Sequence, residues 1–311
     1  MQELVVISGK GGTGKTSLTA SFAVLAGNAV VADCDVDAAD LHLLLSPGVT
    51  ERHEFFSGRE ALIREEACSG CGVCASACRF DAVRVSGGSG GGPGFTIDPL
   101  SCEGCGVCVR LCPEQAIEFP VRLCGEWMVS ETRCGPMAHA RLGAAAENSG
   151  KLVSTVRREA RRIAEEQRRP LLIADGPPGI GCPVIASVTG STLVLVVTEP
   201  TVSGEHDLNR VLSLTRHFQI PTAVCVNKWD LNADMTGRIE EGAKRAGARV
   251  AGRVRYDRAV TLAQMQERTA VETGAPSAVD IRTVWKNLGM PEGSSPTLTP
   301  ARNCQIMASY D

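Results

Sequence analysis

The stretch Gly9-Lys10-Gly11-Gly12-Thr13-Gly14-Lys15-Thr16 decides the fold. It matches the phosphate-loop pattern G-x-x-x-x-G-K-S/T, and its flanks supply the context that pattern requires. Leu4–Ile7, just before it, is a short apolar run of buried-strand type. A helical pattern follows from Lys15 to Ala26. In that setting Gly9, Gly11, Gly12 and Gly14 let backbone N–H groups, Thr13's included, turn inward around phosphate oxygens. The helix N-terminus adds its partial positive charge. Lys15 reaches the β- and γ-phosphates, the Thr16 hydroxyl holds Mg²⁺, and Ser17 follows in the same turn.

Outward from the loop, strands and helices alternate. Val30–Ala32 reads as a second strand ending in Asp33-Cys34-Asp35-Val36-Asp37. A helical pattern occupies about 151–168. Strand-like runs follow at Leu171–Ala174, Leu193–Thr198, Thr222–Val226 and Arg249–Val254, with helical stretches near 205–217, 235–246 and 259–267 between and after them. This order predicts an α/β fold with a doubly wound, mostly parallel sheet. Residues 1–66 and 120–290 form the two parts of that domain, and 67–119 interrupt it as a small module. Residues 120–150 carry no clear pattern. The Ser-, Pro- and Thr-rich end, 291–311, reads as a disordered tail.

A chain of 311 residues, 43% hydrophobic, suffices for one large domain and one small module. The net charge of −3 gives no sign of a nucleic-acid surface. No apolar run approaches the ~20 residues of a membrane span. The first residues lead straight into a strand, with no signal-peptide pattern, so the expected location is cytoplasmic. Eight of the fourteen cysteines lie between Cys68 and Cys112. In a reducing compartment such clustering points to metal rather than disulfides.

Those eight form two runs, Cys68-x2-Cys71-x2-Cys74-x3-Cys78 and Cys102-x2-Cys105-x2-Cys108-x3-Cys112-Pro113. The spacing is the bacterial ferredoxin pattern for two 4Fe-4S clusters, in which each fourth cysteine serves the other cluster. Cluster one takes Cys68, Cys71, Cys74 and Cys112; cluster two takes Cys102, Cys105, Cys108 and Cys78. Zinc sites use pairs of closely spaced cysteines and leave the triplets unexplained. The module is therefore expected to be a small ferredoxin-like α+β unit. Arg79 stands where a proline usually follows the first run, and its charge is suited to raising the potential of cluster two. The run Gly87–Gly94 reads as a mobile loop between the halves.

Lys10, with the following K-G-G-x-G-K-S/T pattern, resembles the deviant phosphate loop of the MinD/Mrp-like ATPases, a superfamily that includes the nitrogenase iron protein. The resemblance implies ATP as nucleotide and a homodimer formed on ATP binding, with Lys10 crossing to the partner's nucleotide. It also implies a first switch at Asp35–Asp37, with Asp35 orienting the attacking water. Asp37 reads equally well as a helix cap. Asp175-Gly176-Pro177-Pro178-Gly179 resembles the second switch, with Asp175 holding Mg²⁺ through water and Gly179 beside the nucleotide. Independently, an aspartate at the carboxyl end of a parallel strand faces the ligand crevice. Asn227-Lys228-Trp229-Asp230 resembles a base-reading motif in which Asn227 contacts the purine. Asp230 has the spacing that reads guanine, so GTP stays open. The segments His139–Leu142 and Glu147–Val153 also look like that family; for the latter, helix capping by Asn148 or Ser149 is the plain explanation. Taken together, residues 1–290 resemble MinD-superfamily ATPases containing an inserted ferredoxin domain.

Cys182 follows the second switch where the nitrogenase iron protein places a cluster-ligating cysteine; a buried structural thiol is the plainer reading. Cys124 and Cys134 flank a hairpin-like segment, which leaves a redox pair or an extra metal ligand open, with unpaired thiols the plainer reading. Cys34 and Cys225 read as core, and Cys304 falls in the tail. The arginine-rich stretch 157–169 reads as a solvated helix face. The functional expectation is an ATPase that couples hydrolysis to electron transfer toward a redox partner. The alternative is an ATP-dependent assembly factor that delivers a cluster or metal to a metallocofactor protein. A passive electron carrier is disfavoured by the intact Lys15, Thr16 and aspartates.

Overall fold

The structure, a computed structural model, describes residues 1–87, 93–143 and 148–291. Of the expected mobile loop 87–94, Gly87, Pro93 and Gly94 instead belong to a pair of antiparallel strands, and 88–92 lie outside the described residues; so do 292–311 of the expected tail, Glu147 and Cys304.

The chain opens with β1 (Gln2–Ser8), α1 (Lys15–Ala26), β2 (Val30–Asp33) and α2 (Leu41–Leu45). A long strand β3 (Gly48–Arg59) leads out to β4 (Leu62–Ile63), α3 (Val73–Ala77), β5 (Val83–Gly87), β6 (Pro93–Ile97), α4 (Val107–Leu111) and β7 (Ile117–Glu118). Two further strands return, β8 (Val121–Thr132) and β9 (Gly135–Leu142). The second part alternates regularly: α5 (Ser149–Glu166), β10 (Leu171–Pro178), α6 (Cys182–Val188), β11 (Leu193–Thr198), α7 (Val202–His217), β12 (Thr222–Asn227), α8 (Ala233–Arg245) and β13 (Arg249–Val254). It closes on α9 (Arg258–Gln264), α10 (Ala270–Thr273) and α11 (Ser277–Leu288).

One nine-stranded sheet runs in the order β13-β12-β11-β1-β10-β2-β9-β8-β3. Every neighbouring pair from β13 to β9 is parallel, and β8 and β3 add antiparallel strands at the far edge. β1 is central because its side chains find apolar cover on both faces. Val5 and Ile7 point into a cluster with Leu152 and Val156 of α5 and Val211 of α7. Leu4 and Val6 alternate to the other face, among Phe22 of α1 and Trp285 of α11. Phe22 and Trp285 stack with centroids 5.2 Å apart. Each such buried side chain contributes on the order of 2 kcal/mol.

The Cys68–Cys112 region hangs from the end of the β3–β8 ribbon. Beyond the last pairing, Arg59 with Val121, the chain closes a small unit by pairing β4 with β7 and β5 with β6. Its own core is separate and small: Ala61, Cys74, Phe95 and Ile117. The ribbon escapes sequence reading for a physical reason. In β3 only Phe55 and Ser57 are buried, because the strand lies on the sheet edge.

Arg157 corrects the reading of α5 as simply solvated. It is buried, with Nε 2.6 Å from Glu3 Oε1 and Nη1 donating to the carbonyls of Ala186 and Thr189. The guanidinium fork lets one cation tie β1, α5 and the end of α6 together.

Candidate functional site

The turn from β1 into α1 wraps a cavity of about 490 Å³. Gly12 and Gly14 sit at φ 78° and 87°, conformations that favour glycine. A side chain at Gly14 would strike the Asn227 amide, and one at Gly9 would strike Asp207. Gly11 and Gly12 face open space. The Thr13 hydroxyl is buried with no hydrogen-bond partner among the described residues. An orphaned hydroxyl beside inward-turned backbone is the chemistry a phosphate satisfies.

Lys15 lies at the floor, 6% exposed. Its Nζ stands 2.9 Å from Asp175 and 3.3 Å from Asp35. The Asp175 carboxylate accepts from Thr16 Oγ1 and Thr19 Oγ1, each at 2.7 Å. Asp33, fully buried, accepts from the N–H groups of Asp35 and Leu41 and so shapes the segment between them. Two carboxylates therefore pair with one ammonium, and Asp33 adds a weaker attraction. Burial works against the Lys15 charge, but Asp175 and Asp35 outweigh it and hold the ammonium above its usual range. Burial, reinforced by the Asp175 charge, pushes the Asp33 carboxyl well up. Asp35 is raised for the same first reason, with Lys15 opposing. Thr16 and Asp175 supply the hard oxygen donors that Mg²⁺ prefers. Ser17 lines the cavity and accepts from Gln264 of α9 at 2.7 Å.

The remaining expected residues fall around this core. Gly179 is held by its N–H on the Ser8 carbonyl at 2.9 Å, at φ 94°. Lys10 does not reach into the cavity. Its Nζ sits 2.5 Å from Glu199 and 3.1 Å from Ser203 Oγ. Lys228 shares Glu199 from the other side at 3.2 Å and donates to the Gly12 carbonyl. Asn227 donates to the Thr13 carbonyl at 2.8 Å, so it braces the loop. Asp37 is exposed and lines a neighbouring cleft with His42 and Arg52, whereas Asp35 lines the nucleotide cavity. Thr19, Asp33 and Glu199 were not singled out by sequence. Glu199 follows β11 directly, and the strand-end rule that selects Asp175 would have selected it too.

In the small unit, the two cysteine runs adopt matching conformations. Gly70 and Gly72 have φ 71° and 73°; Gly104 and Gly106, at the same offsets, have 61° and 68°. Cys78 and Cys112 cap α3 and α4 in the same extended geometry. Cys68, Cys71, Cys74 and Cys112 line one cavity with Ile63, Phe95 and Ile117. The Ala116 N–H donates to Cys112 Sγ at 3.3 Å. Cys102 and Cys108 pack on the same small core as Cys74, and Cys105 is exposed. Among the described residues no three His, Cys, Asp or Glu side chains stand close enough to hold a single metal ion. Four cysteines lining one apolar pocket, with an N–H on one sulfur, are the soft donor set that a multi-iron cluster uses. Arg79 rests over the Phe80 ring at 5.9 Å.

The other cysteines separate. Cys182 is exposed, which corrects its reading as a buried thiol, and Gly150 of α5 packs against it. Cys124 and Cys134 are buried in different apolar clusters and do not form a pair. Cys34 and Cys225 are core residues, and burial pushes the Cys225 thiol up to about 12. No helix among the described residues is long and apolar enough to cross a membrane.

Comparison with known proteins agrees with this geometry. Residues 4–270 match the family described as the CobQ/CobB/MinD/ParA nucleotide binding domain. The chain is 33% identical over 235 residues to the uncharacterised protein MJ0578 of Methanocaldococcus jannaschii, covering 75% of this chain and 80% of that one. The septum site-determining protein MinD of Pyrococcus horikoshii, solved with Mg-ADP, superposes with a TM-score of 0.56 at 14% identity, covering 92% of this chain and 95% of that one. The Cyanothece McdA(D38A)–ATP complex gives a TM-score of 0.56 at 15% identity over 94% and 98%. Those likenesses establish the fold, and the match over 4–270 establishes the lineage: the chain belongs to the CobQ/CobB/MinD/ParA nucleotide-binding family and is a P-loop ATPase of the MinD type.

Proposed function

We propose that this ATPase couples ATP binding and hydrolysis to electron transfer through two 4Fe-4S clusters held by Cys68, Cys71, Cys74 and Cys112, and by Cys102, Cys105, Cys108 and Cys78. The observation that carries this reading is the shared cavity of Cys68, Cys71, Cys74 and Cys112, because the crossed fourth ligand comes from the other run. Bound there, such clusters supply reversible one-electron storage. The protein residues do the rest. Lys15 and the loop N–H groups bind the β- and γ-phosphates, Thr16 and Asp175 place Mg²⁺, and Asp35 orients the attacking water. Lys10 leaves Glu199 to reach a second copy's nucleotide, which makes the active form an isologous homodimer.

Coupling follows from connectivity. The ribbon that bears the cysteine unit is hydrogen-bonded to β9, and β9 pairs with β2, whose end carries Asp33 and Asp35. Loss of the γ-phosphate moves the switch segments, and the ribbon transmits that movement to the cysteine unit. The partner is then a redox protein.

A second reading, delivery of a cluster or metal to a metallocofactor protein, is favoured by one observation. Cys182 is exposed beside the second switch, where a dimer would pair it with its copy. Anaerobic purification with iron counting and EPR, with and without ATP, separates the two. Two clusters per chain that stay bound through turnover support electron transfer. Iron lost to an acceptor on hydrolysis supports delivery, and an iron-free chain contradicts both.

A further inference from the structure

The two cysteine runs are built alike but lean on different supports. Each turns a left-handed glycine toward a backbone carbonyl, and a second one, two residues on, toward a phenylalanine ring. In the first run a side chain at Gly70 would strike the Pro93 carbonyl, and one at Gly72 would touch the Phe95 ring. Both supports lie on β6, which forms a two-stranded sheet with β5. In the second run a side chain at Gly104 would strike the Arg59 carbonyl, and one at Gly106 would press on the Phe119 ring. Arg59 is the last residue of β3 and pairs with Val121 of β8. The second run is therefore seated on the end of the ribbon itself.

Arg59 also joins its two supports. Its Nη1 donates to the Phe119 carbonyl at 2.5 Å, and its guanidinium lies over the Phe119 ring, 5.8 Å from the centroid. Glu60 follows, with its N–H on the Pro120 carbonyl at 3.2 Å and its carboxylate 3.6 Å from Arg122. These cross-strand ties make the ribbon's end and Phe119 one block. A glycine with no room for a Cβ leaves its loop no slack, so displacing the Arg59 carbonyl displaces Gly104. Cys105 stands between Gly104 and Gly106, and Cys102 and Cys108 flank them. The pocket of Cys68, Cys71, Cys74 and Cys112 meets β4 and β7 through the side chains of Ile63 and Ile117. Those contacts are apolar and lack the direction of a backbone seat.

We infer that cluster two, on Cys102, Cys105, Cys108 and Cys78, is the nucleotide-sensitive cluster, and that Arg59 is the positioning residue that passes ribbon movement to it. The inference rests on the proposed coupling of nucleotide and clusters, and names the cluster and the contact through which that coupling acts. Cluster potentials follow hydrogen bonds to sulfur and solvent exposure, and both change when a ligand loop shifts.

Redox titration by EPR of the anaerobically purified full chain, with Mg-ADP or the non-hydrolysable Mg-AMPPNP, tests this. Cys68→Ala and Cys102→Ala identify which signal belongs to which cluster. In the wild-type chain the cluster-two potential should differ between the two nucleotides by the equivalent of about tenfold or more in affinity, about 59 mV. Cluster one should differ by less than about threefold. Arg59→Ala should bring the cluster-two difference below about threefold while iron counting still gives both clusters. Phe119→Leu, which removes the ring that Arg59 covers and Gly106 meets, should do the same. A merely structural role would lower melting temperature in both variants and leave the nucleotide difference unchanged, which would overturn the role of Arg59. A shift confined to cluster one, or equal in both clusters, would overturn the assignment to cluster two. Clusters that are present but indifferent to nucleotide would overturn the coupling reading itself, a pattern none of the other outcomes gives.

Discussion

Lys15 Nζ lies 2.9 Å from the Asp175 carboxylate, so the cation proposed to bind phosphate and the anion proposed to place Mg²⁺ neutralise each other across the floor of the nucleotide cavity. Asp35 completes the contact at 3.3 Å. Nucleotide must draw Lys15 toward its phosphates and leave Asp175 to the metal. Lys15→Ala should therefore abolish turnover, and because it strands buried carboxylates it should also cost about 3 kcal/mol or more of stability. Asp175→Asn should lose turnover with a smaller stability change. Phosphate release and thermal melting of both variants check this; activity near wild-type in Lys15→Ala would remove the assignment.

A second expectation concerns Glu199, which holds Lys10 and Lys228 at once. Hydrogen bonds from Lys10 and Lys228 outweigh its burial and keep the carboxyl below its usual range, so it is anionic at neutral pH. Lys10→Ala should prevent ATP-dependent dimerisation, whereas Glu199→Gln should favour it by releasing Lys10. Sedimentation at saturating ATP, in an Asp35→Asn background to slow hydrolysis, reads the difference. A wild-type monomer under those conditions would refute the role given to Lys10.

Crossed ligation predicts a pattern that sequence neighbours do not share. Cys112→Ala should resemble Cys68→Ala, each losing about half of the iron, although Cys112 lies in the second cysteine run. Cys78→Ala should instead resemble Cys102→Ala. The EPR of the remaining cluster distinguishes the pairs. Grouping by run rather than across runs would contradict the assignment.

Much of this was legible in residues 1–37 and 171–254. Glycines, a lysine and aspartates at strand ends have few alternative uses there, and the strands are buried apolar runs. The exposed edge ribbon was illegible because strand β3 reads Glu51-Arg52-His53-Glu54 where a buried strand would be apolar. Arg157 was misplaced because a guanidinium that finds Glu3 looks, in sequence, like any surface arginine. The Lys10–Glu199 contact joins residues far apart in the chain, and local pattern carries no trace of it.

His139 on β9 offers a pH test remote from the cavity. Burial, with the charges of His42 and Arg52 beside it, lowers its imidazole to about 4, and its Nε2 lies 2.7 Å from Ser130 Oγ. The unfolded chain binds this proton near the ordinary pH of about 6.5. Between those values the unfolded state holds more protons, so stability is present above about 6.5 and is lost as pH falls toward 4. The contribution is on the order of 3 kcal/mol. His139→Gln should flatten the fall in melting temperature over that window; an unchanged slope would place the titration elsewhere.

Nucleotide state and electron affinity are, on the proposed function, linked through the ribbon joining β2 to the cysteine unit. Linkage is reciprocal: a tenfold change in nucleotide affinity on reduction corresponds to about 59 mV for a one-electron couple, or roughly 1.4 kcal/mol. Redox titration by EPR in the nucleotide-free, ADP-bound and ATP-bound states measures it directly. At least one cluster potential should shift by about 59 mV or more between the ADP and ATP states. Potentials that coincide in all three states would contradict it and leave the cysteine unit a passenger on the ATPase.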